Sequence, residues 1–284
     1  MNTASPLRYP GGKASLTGLL RQIRRLNSLG DRPIAEPFAG GAGASLSLLF
    51  REDVPQIYIN DADPAVHDFW WSVLNRPQVF AAKLRAARAS MAEWRRQRAI
   101  YLDSRTGRLD RGFAAFYLNR CNRSGIIMNG GPIGGVRQTG PWKIGARFNK
   151  PDLLERCEKV AEFRQRIRLG GTDGLDFIRD VVPPEALLFI DPPYFAKGPT
   201  LYLNALTAED HQALSDELRT RQDAPWILTY DDCPQIRRMY RGWANIRPFS
   251  LRYAASERRK GRELLISPRW MRLPTSQESD AIVW

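Results

Sequence analysis

Residues 34 to 45, with the sequence IAEPFAGGAGAS, hold the pattern that decides the fold. A short apolar segment runs into closely spaced glycines, and apolar side chains resume at residues 46, 48, 49 and 50. Glycine permits a tight turn between two regular elements, so the stretch predicts a strand, a glycine turn and a helix in that order. This order is typical of the first unit of an α/β fold.

Four later segments share the character of a buried strand. Each is short and apolar, and each is closed by polar or turn-forming residues. Because such runs are apolar on both faces, they predict a mostly parallel sheet covered by helices. The segments are 56–61, 166–169, 186–191 and 226–231.

The last two strand segments, 246–253 and 263–267, leave no room for a helix between them. They predict an antiparallel hairpin with a long tip. The tip, from Arg252 to Arg262, is basic and contains Arg258, Arg259 and Lys260. It is either a solvated loop or a segment that contacts phosphates.

The middle of the chain differs in character. From Arg76 to Leu102, apolar residues recur at helical spacing among many arginines, which predicts one amphipathic, basic helix with a solvated or phosphate-binding face. A glycine-rich stretch from Gly125 to Gly145 predicts a long structured loop. We therefore expect residues 66–150 to be an inserted domain, with 1–65 and 151–284 forming the main domain.

The charge balance of the 284 residues indicates a possible class of partner. The chain has 43 Lys or Arg against 30 Asp or Glu, a formal net charge of +13, and a hydrophobic content of 43% that is typical of a globular protein. A positive field of this size points to a polyanion such as nucleic acid, with colloidal solubility as the alternative explanation.

The cysteines and histidines exclude several kinds of site. Three widely spaced cysteines predict neither a disulfide framework nor a thiolate metal cage. With only His67 and His211 in the chain, zinc or triad chemistry is not expected, and we expect both histidines on helix surfaces. No apolar run is long enough to span a bilayer, so we expect a protein of the reducing cytoplasm.

Acidic residues around the glycine turn indicate the kind of ligand. Asp61 closes the next predicted strand, where an acid can bind the two hydroxyls of a ribose. Glu36 precedes the turn and would repel a pyrophosphate, and Ala44 and Ser45 replace the third glycine of the dinucleotide fingerprint. The pattern favours S-adenosylmethionine, which combines a nucleoside with a cationic amino acid end, over NAD. A purely steric glycine turn is the alternative.

The turn Asp191-Pro192-Pro193-Tyr194 follows a predicted strand directly. Two prolines remove two backbone donors and stiffen the turn, so the Asp191 carboxylate and the Pro192 carbonyl become two fixed acceptors. An exocyclic amine such as adenine N6 offers two hydrogens to such a pair, and the Tyr194 ring offers a face on which a base can stack. Alternatively, the turn is a rigid loop whose acid caps a helix.

Four motifs in this order resemble those of the Dam-like (D12 class) DNA adenine-N6 methyltransferases. They are residues 7–13 (LRYPGGK), 36–45, 60–61 and 191–194, with further similar stretches at 116–120, 142–151 and 252–265. The resemblance implies an α/β, Rossmann-like class I methyltransferase fold with a mostly parallel seven-stranded sheet and an antiparallel last strand. It also implies that the inserted domain is mainly helical and recognises the DNA target.

The resemblance implies roles for individual residues and no metal site. The catalytic turn would be Asp191, Pro192, Pro193 and Tyr194. The S-adenosylmethionine contacts would be Tyr9, Lys13, Glu36, Phe38, Gly41, Gly43, Asp61, Asp173, Asp176 and Asp191. The contacts to DNA would be Asn119, Arg120, Arg123, Arg137, Arg147, Arg258, Arg259 and Lys260.

The expected reaction is direct methyl transfer from S-adenosylmethionine to N6 of an adenine flipped out of duplex DNA. No covalent intermediate is required, and Cys233 lies in the order Cys-Pro, the reverse of the Pro-Cys of cytosine-C5 enzymes. An RNA adenine methyltransferase and a non-catalytic DNA-binding relative stay open as alternatives. A cognate restriction endonuclease is an open further partner, as is the oligomeric state.

Overall fold

The carboxyl ends of five parallel strands meet at one edge of a single sheet. The computed structural model describes residues 4–8, 13–195, 206–251, 262–275 and 282–283. The strands are β1 (Ile34–Glu36), β2 (Ile57–Asn60), β3 (Ile167–Gly170), β4 (Leu187–Ile190), β5 (Trp226–Asp231), β6 (Ala244–Leu251), β7 (Arg262–Pro268) and β8 (Ile282–Val283).

The sheet has the order β3-β2-β1-β4-β5-β7-β6-β8. Strands β1 to β5 pair in parallel, whereas β7 runs antiparallel to both β5 and β6. The predicted α/β fold, with a mostly parallel seven-stranded sheet and a terminal hairpin, is confirmed. The structure adds the two-residue strand β8, which pairs with β6 at the edge of the sheet.

Adjacent side chains of a strand point to opposite faces of the sheet, and here both faces are apolar. Helices therefore cover both faces. Ile34 and Leu187 belong to one hydrophobic cluster, and their neighbours Ala35 and Leu188 belong to another. The helices are α1 (Thr17–Leu26), α2 (Gly43–Phe50), α3 (Pro64–Asn75), α4 (Pro77–Ala86), α5 (Met91–Leu102), α6 (Arg108–Cys121), α7 (Lys150–Glu162), α8 (Gly174–Asp180), α9 (Ala208–Thr220) and α10 (Pro234–Tyr240).

The prediction of one helix from Arg76 to Leu102 is wrong. Helix α4 ends before Ala87, whose backbone is extended at φ −63° and ψ 139°. Helix α5 begins after Ser90, where the Ser90 hydroxyl oxygen accepts a hydrogen bond of 3.2 Å from the Glu93 amide. A serine cap of this kind satisfies an otherwise unpaired helix amide, which favours a new helix start over a continuous helix.

The helices between β2 and β3 pack into the same core as the sheet. Rings of Phe69 and Phe116 stack at 5.6 Å between α3 and α6, and Phe80 of α4 lies 5.4 Å from Phe116. These rings belong to the hydrophobic cluster that includes Ile34 of β1. The boundaries 66–150 stay a prediction, since the insertion shares its packing with the main domain. No helix within the described residues is long and apolar enough to cross a membrane.

Candidate functional site

Five acidic residues follow five parallel strands to the same edge of the sheet, called here the carboxyl edge. Glu36 and Asp231 end β1 and β5, and Asp61, Asp173 and Asp191 come one to three residues after β2, β3 and β4. In open α/β sheets, ligands bind in the crevice outside this edge. The sequence separates these acids widely, and the parallel sheet brings them to one side.

Glu36 is 6% exposed and faces the start of α2. Its Oε1 accepts a hydrogen bond of 2.8 Å from the Ser45 amide, across a turn in which Gly40 and Ala42 have positive φ angles of 47° and 46°. Burial raises the pKa of Glu36 to about 7, against favourable hydrogen bonding and with a smaller contribution from Asp191. A buried acid with this pKa favours a cationic ligand group nearby.

Asp61 holds the glycine turn from the neighbouring strand. Its Oδ2 accepts from the Gly40 amide and its Oδ1 from the Asp63 amide, both at 2.9 Å. Burial raises the pKa of Asp61 to about 7, with a further contribution from Asp63. Each oxygen retains a lone pair, so Asp61 can also accept hydrogen bonds from the two hydroxyls of a ribose.

Phe38 and the residues after β3 form the next part of the edge. The Phe38 ring lies against Gly174, where a Cβ atom would come within 2.4 Å of the Phe38 Cζ. Asp173 caps α8, because its Oδ1 accepts from the Leu175 amide at 2.8 Å. Asp173 and Asp176 are both exposed. Asp173 therefore has a structural partner already, whereas Phe38 offers an aromatic surface at the edge.

The contacts between the Asp191 carboxylate and the described residues involve its Oδ1 atom. Oδ1 accepts a hydrogen bond of 2.6 Å from the Thr229 hydroxyl and lies 3.2 Å from the Lys13 ammonium. Among the described residues nothing donates to Oδ2, and the Asp191 side chain is 24% exposed. Oδ1 thus anchors the side chain, and Oδ2 accepts no hydrogen bond from the described residues.

The turn after Asp191 is held by a hydrogen bond to the last residue of β5. The Phe195 amide, the second amide after the two prolines, donates a hydrogen bond of 3.2 Å to Oδ1 of Asp231. The Pro192 carbonyl accepts no hydrogen bond from any described residue. The geometry therefore leaves two acceptors available, Oδ2 of Asp191 and the oxygen of Pro192.

Tyr194 is fixed at both its ring and its hydroxyl. The hydroxyl donates a hydrogen bond of 2.9 Å to Oε2 of Glu263, and the Lys13 ammonium lies 4.9 Å from the ring centroid. Lys13 also lies 3.6 Å from the same Glu263 oxygen. Sequence reasoning missed Glu263 and Thr229 as site residues, although Glu263 lies inside the 252–265 stretch that carries the family resemblance.

A model for the "D12 class N6 adenine-specific DNA methyltransferase" family matches residues 9–254. The chain belongs to this family. The match extends over β1 to β6, and therefore over the glycine turn and the turn from Asp191 to Tyr194 of the methyltransferase.

Solved structures similar to this D12 class methyltransferase include two of the rRNA methyltransferase aviRa from Streptomyces viridochromogenes. One has 16% identity over 88% of this chain and 82% of the other, with a TM-score of 0.37. The second has 17% identity over 88% and 81%, with a TM-score of 0.35. No curated protein matches the chain.

The residues predicted to contact DNA in the methyltransferase fall into two groups, and the first is buried. Asn119 is 0% exposed, and its amide accepts from the Arg8 amide at 2.7 Å and donates to the Arg8 and Gly125 carbonyls. Arg120 is 7% exposed and donates from Nε to the Arg147 carbonyl at 2.9 Å. In this conformation both side chains hold the insertion together, so neither is placed to contact a base.

The second group is exposed. Arg123, Arg137 and Arg147 have exposed side chains on the segment after α6. Tyr9, Arg258, Arg259 and Lys260 lie outside the described residues.

The structure places Arg8, which precedes the insertion in the chain, beside the basic residues of the insertion. Burial and the neighbouring Arg147 guanidinium lower the pKa of Arg8, and burial with Arg8 and Arg156 lowers the pKa of Arg120 to about 10. Among the described residues no carboxylate pairs with Arg8 or Arg147. Residues 111–151 contain seven Lys or Arg and no Asp or Glu, which concentrates positive charge here.

The prediction of a surface position is wrong for His211, and burial raises the pKa values of the three thiols. His211 is 2% exposed, and its Nδ1 lies 2.6 Å from the Tyr230 hydroxyl in the core. Burial raises the pKa of Cys121 and of Cys157 to about 12 and also raises that of Cys233. No cluster of three potential metal ligands occurs within the described part of the chain.

Proposed function

We propose that this protein transfers a methyl group from S-adenosylmethionine to N6 of an adenine that is flipped out of duplex DNA. One observation carries the proposal. In the Asp191-Pro192-Pro193-Tyr194 turn, Thr229 and Lys13 occupy one oxygen of Asp191, while Oδ2 and the Pro192 carbonyl are open. Two open acceptors match the two hydrogens of an adenine amine.

The amine of adenine is a weak nucleophile because its lone pair is delocalised into the ring. Hydrogen bonds from its two protons to Oδ2 of Asp191 and to the Pro192 oxygen would localise that pair and aim it away from the turn. N6 would gain the methyl carbon as the bond of that carbon to sulfur breaks, with S-adenosylhomocysteine as the other product. N6 would then lose one proton along the hydrogen bond to Asp191. The Lys13 ammonium lies 3.2 Å from Oδ1 of Asp191, so Oδ2 is the oxygen that would accept from the amine.

The donor and acceptor set at β1 and β2 fits S-adenosylmethionine, which when bound supplies a methyl group activated by its sulfonium. Glu36 would accept the ammonium of its amino acid end, and the Gly41 to Gly43 backbone would lie against that end. Asp61 would hold the ribose, and Phe38 would lie against the adenine ring. Asp173 and Asp176 are exposed beside Phe38, and each would contact only the periphery of the bound S-adenosylmethionine.

Duplex DNA is favoured as substrate by the charge and location of the insertion, which we propose to be the target-recognition domain. Arg8 is bonded to Asn119 of α6 and precedes Lys13 by five residues, a separation of at most about 18 Å. Arg8 and Arg147 therefore lie close enough to the catalytic turn to contact phosphates beside a flipped nucleotide. The loop that follows α6 also exposes 70% of Trp142, an aromatic surface for stacking on bases.

The test uses the purified protein with labelled S-adenosylmethionine and three substrates of one sequence set: duplex DNA, single-stranded DNA and RNA. We expect label in adenine of duplex DNA, with no label above background for Asp191→Asn. Sequencing that detects N6-methyladenine, in DNA from a methylation-free host expressing the protein, would then give the target site. Label confined to RNA, or label in cytosine, would overturn the proposal.

A further inference from the structure

We infer that Glu263 is a positioning residue of the methyltransferase site, which fixes the Tyr194 ring and keeps the Lys13 ammonium off the open oxygen of Asp191. The inference rests on the proposed function for its kinetic consequence, while its geometric part concerns this chain alone. It assigns a role to an acid that lies two strands away from the catalytic turn.

Glu263 reaches the site because β7 runs against the parallel strands. An antiparallel strand begins at the edge where its neighbours end, so Glu263, the second residue of β7, lies at the carboxyl edge. It is paired in register with Asp231, the last residue of β5. Strand β5 also carries Thr229 and separates β7 from β4, the strand that leads into Asp191.

One oxygen of Glu263 serves two partners. Oε2 accepts from the Tyr194 hydroxyl at 2.9 Å and lies 3.6 Å from the Lys13 ammonium. The side chains of Glu263 and Lys13 are only 12% and 5% exposed. Solvent screening is therefore weak, and the charge of Glu263 acts strongly on Lys13.

The position of Lys13 between two carboxylates has a chemical consequence. Its ammonium lies 3.2 Å from Oδ1 of Asp191 and is drawn toward Glu263 on the other side. With the charge of Glu263 removed, the pull on Lys13 away from Asp191 would be lost, and the ammonium would bridge both oxygens of Asp191. That shift would occupy Oδ2, the acceptor that the adenine amine needs.

The hydrogen bond to Tyr194 has a separate effect. The Tyr194 ring is attached to the backbone at one end and hydrogen-bonded through its hydroxyl at the other, which fixes the plane of the ring. A base that stacks on it therefore meets a fixed surface. The Lys13 ammonium lies over the same ring at 4.9 Å. Glu263 thus sets two features of the site through two different neighbours.

The two effects are separated by Glu263→Gln and Tyr194→Phe. The glutamine retains size and an oxygen for the Tyr194 hydroxyl but loses the charge that holds Lys13. We expect kcat to fall about tenfold while KM for DNA changes less than about twofold, because the lost acceptor acts after binding. The phenylalanine loses the hydroxyl and leaves Lys13 in place, so base stacking, measured with 2-aminopurine at the target position, should weaken.

A double-variant cycle and a structure decide between this role and a merely structural one. In a Lys13→Gln background, Glu263→Gln should change kcat by less than about twofold, since no ammonium is left to be redirected. Glu185→Gln, before β4 at the opposite edge, is the control for charge and should match the wild type. A tenfold loss of kcat that persists in the Lys13→Gln background would overturn the kinetic part. So would a loss of kcat that the lower thermal stability of Glu263→Gln fully explains.

Crystal structures of the wild type and Glu263→Gln test the geometry without any activity. The Lys13 nitrogen should move to within hydrogen-bonding distance of both oxygens of Asp191 in the variant. A Lys13 nitrogen that stays on Oδ1 alone would refute the inference. If the wild type methylates adenine and Glu263→Gln is equally fast, the inference fails and the proposed function stands; if the wild type methylates nothing, the proposed function fails and the structures alone decide the inference.

Discussion

The Thr229 hydroxyl donates a hydrogen bond of 2.6 Å to Oδ1 of Asp191, from the strand next to the one that leads into the Asp191 to Tyr194 turn. Thr229 is fully buried, and the second acceptor of its hydroxyl, the Ile190 carbonyl, is farther away at 3.4 Å. We expect Thr229→Val, which keeps the shape and removes the donor, to lower kcat by about tenfold to 100-fold, the cost of a hydrogen bond to a charged group. Steady-state methyl transfer to duplex DNA measures the change.

Thr229→Ser is the matched control, because it restores the hydroxyl with one methyl group fewer. It should retain kcat within about threefold while lowering stability by about 1 kcal/mol. Equal rates for the valine and serine variants would show that the hydrogen bond does not orient Asp191.

Glu36 makes the stability of the ligand-free protein depend on pH. Its pKa is about 7 in the folded state against an ordinary 4.5, so the folded state binds more protons than the unfolded chain between these values. The resulting stability is fully present below about pH 4.5 and is lost as the pH rises through about 7, by about 3 kcal/mol in total. Glu36→Gln should therefore raise the free energy of unfolding at pH 8 and leave it nearly unchanged at pH 5.

Urea unfolding at the two pH values measures this difference, and binding calorimetry tests the ligand. A cationic amino acid end needs the ionised Glu36, so affinity for S-adenosylmethionine should increase between pH 5 and pH 8 in the wild type and fall sharply in Glu36→Gln. A glutamine variant that is less stable at pH 8, or that binds as tightly as the wild type, would contradict the assignment.

Arg147 is exposed, lies beside Arg8 and has no carboxylate partner among the described residues. If it contacts a phosphate, Arg147→Gln should weaken DNA binding roughly fivefold, about 1 kcal/mol, and lower the slope of log K against log salt by about 0.9. Fluorescence anisotropy across a salt series measures both quantities.

Arg241→Gln is the control for Arg147, because Arg241 is also exposed but precedes β6 at the edge opposite the site. It should leave affinity and slope unchanged. A loss of the same size in both variants would assign the effect to overall charge and remove Arg147 from the interface.

Trp142 exposes 70% of its surface on a loop whose backbone is closely held. A Cβ on Gly134 would lie 2.5 Å from the Trp142 carbonyl, and Gln138 donates to the Ile133 and Gly135 carbonyls at 2.7 Å each. Stacking on a base is worth about 1–3 kcal/mol, so Trp142→Ala should weaken DNA binding at least about fivefold and Trp142→Phe should weaken it less.

Trp270 supplies the comparison. It is 46% exposed and follows β7 at the edge opposite the site, so Trp270→Ala should bind DNA like the wild type. The same anisotropy assay applies to all three variants, and unchanged binding by Trp142→Ala would place Trp142 outside the contact surface.

Local patterns predicted the fold well and the helix boundaries less well. The glycine turn after Glu36 and the apolar strand before Asp191 are short-range features, and both occur as predicted. The single helix from Arg76 to Leu102 failed because the Ser90 cap gains a hydrogen bond that apolar spacing does not encode. The surface position predicted for His211 is wrong because packing against Tyr230 buries the side chain.

The sequence by itself determined the chemistry that this protein carries. Hydrophobic patterning and turn chemistry act over short stretches of chain, so the sequence alone shows where each strand lies along the chain. It also shows the Asp191 to Tyr194 turn, the acids Glu36 and Asp61 and the excess of basic residues. Only the tertiary structure decided which residues support that chemistry. Thr229 and Glu263 are 38 and 69 residues from their partners Asp191 and Tyr194, and the pairing of β5 and β7 brings them together.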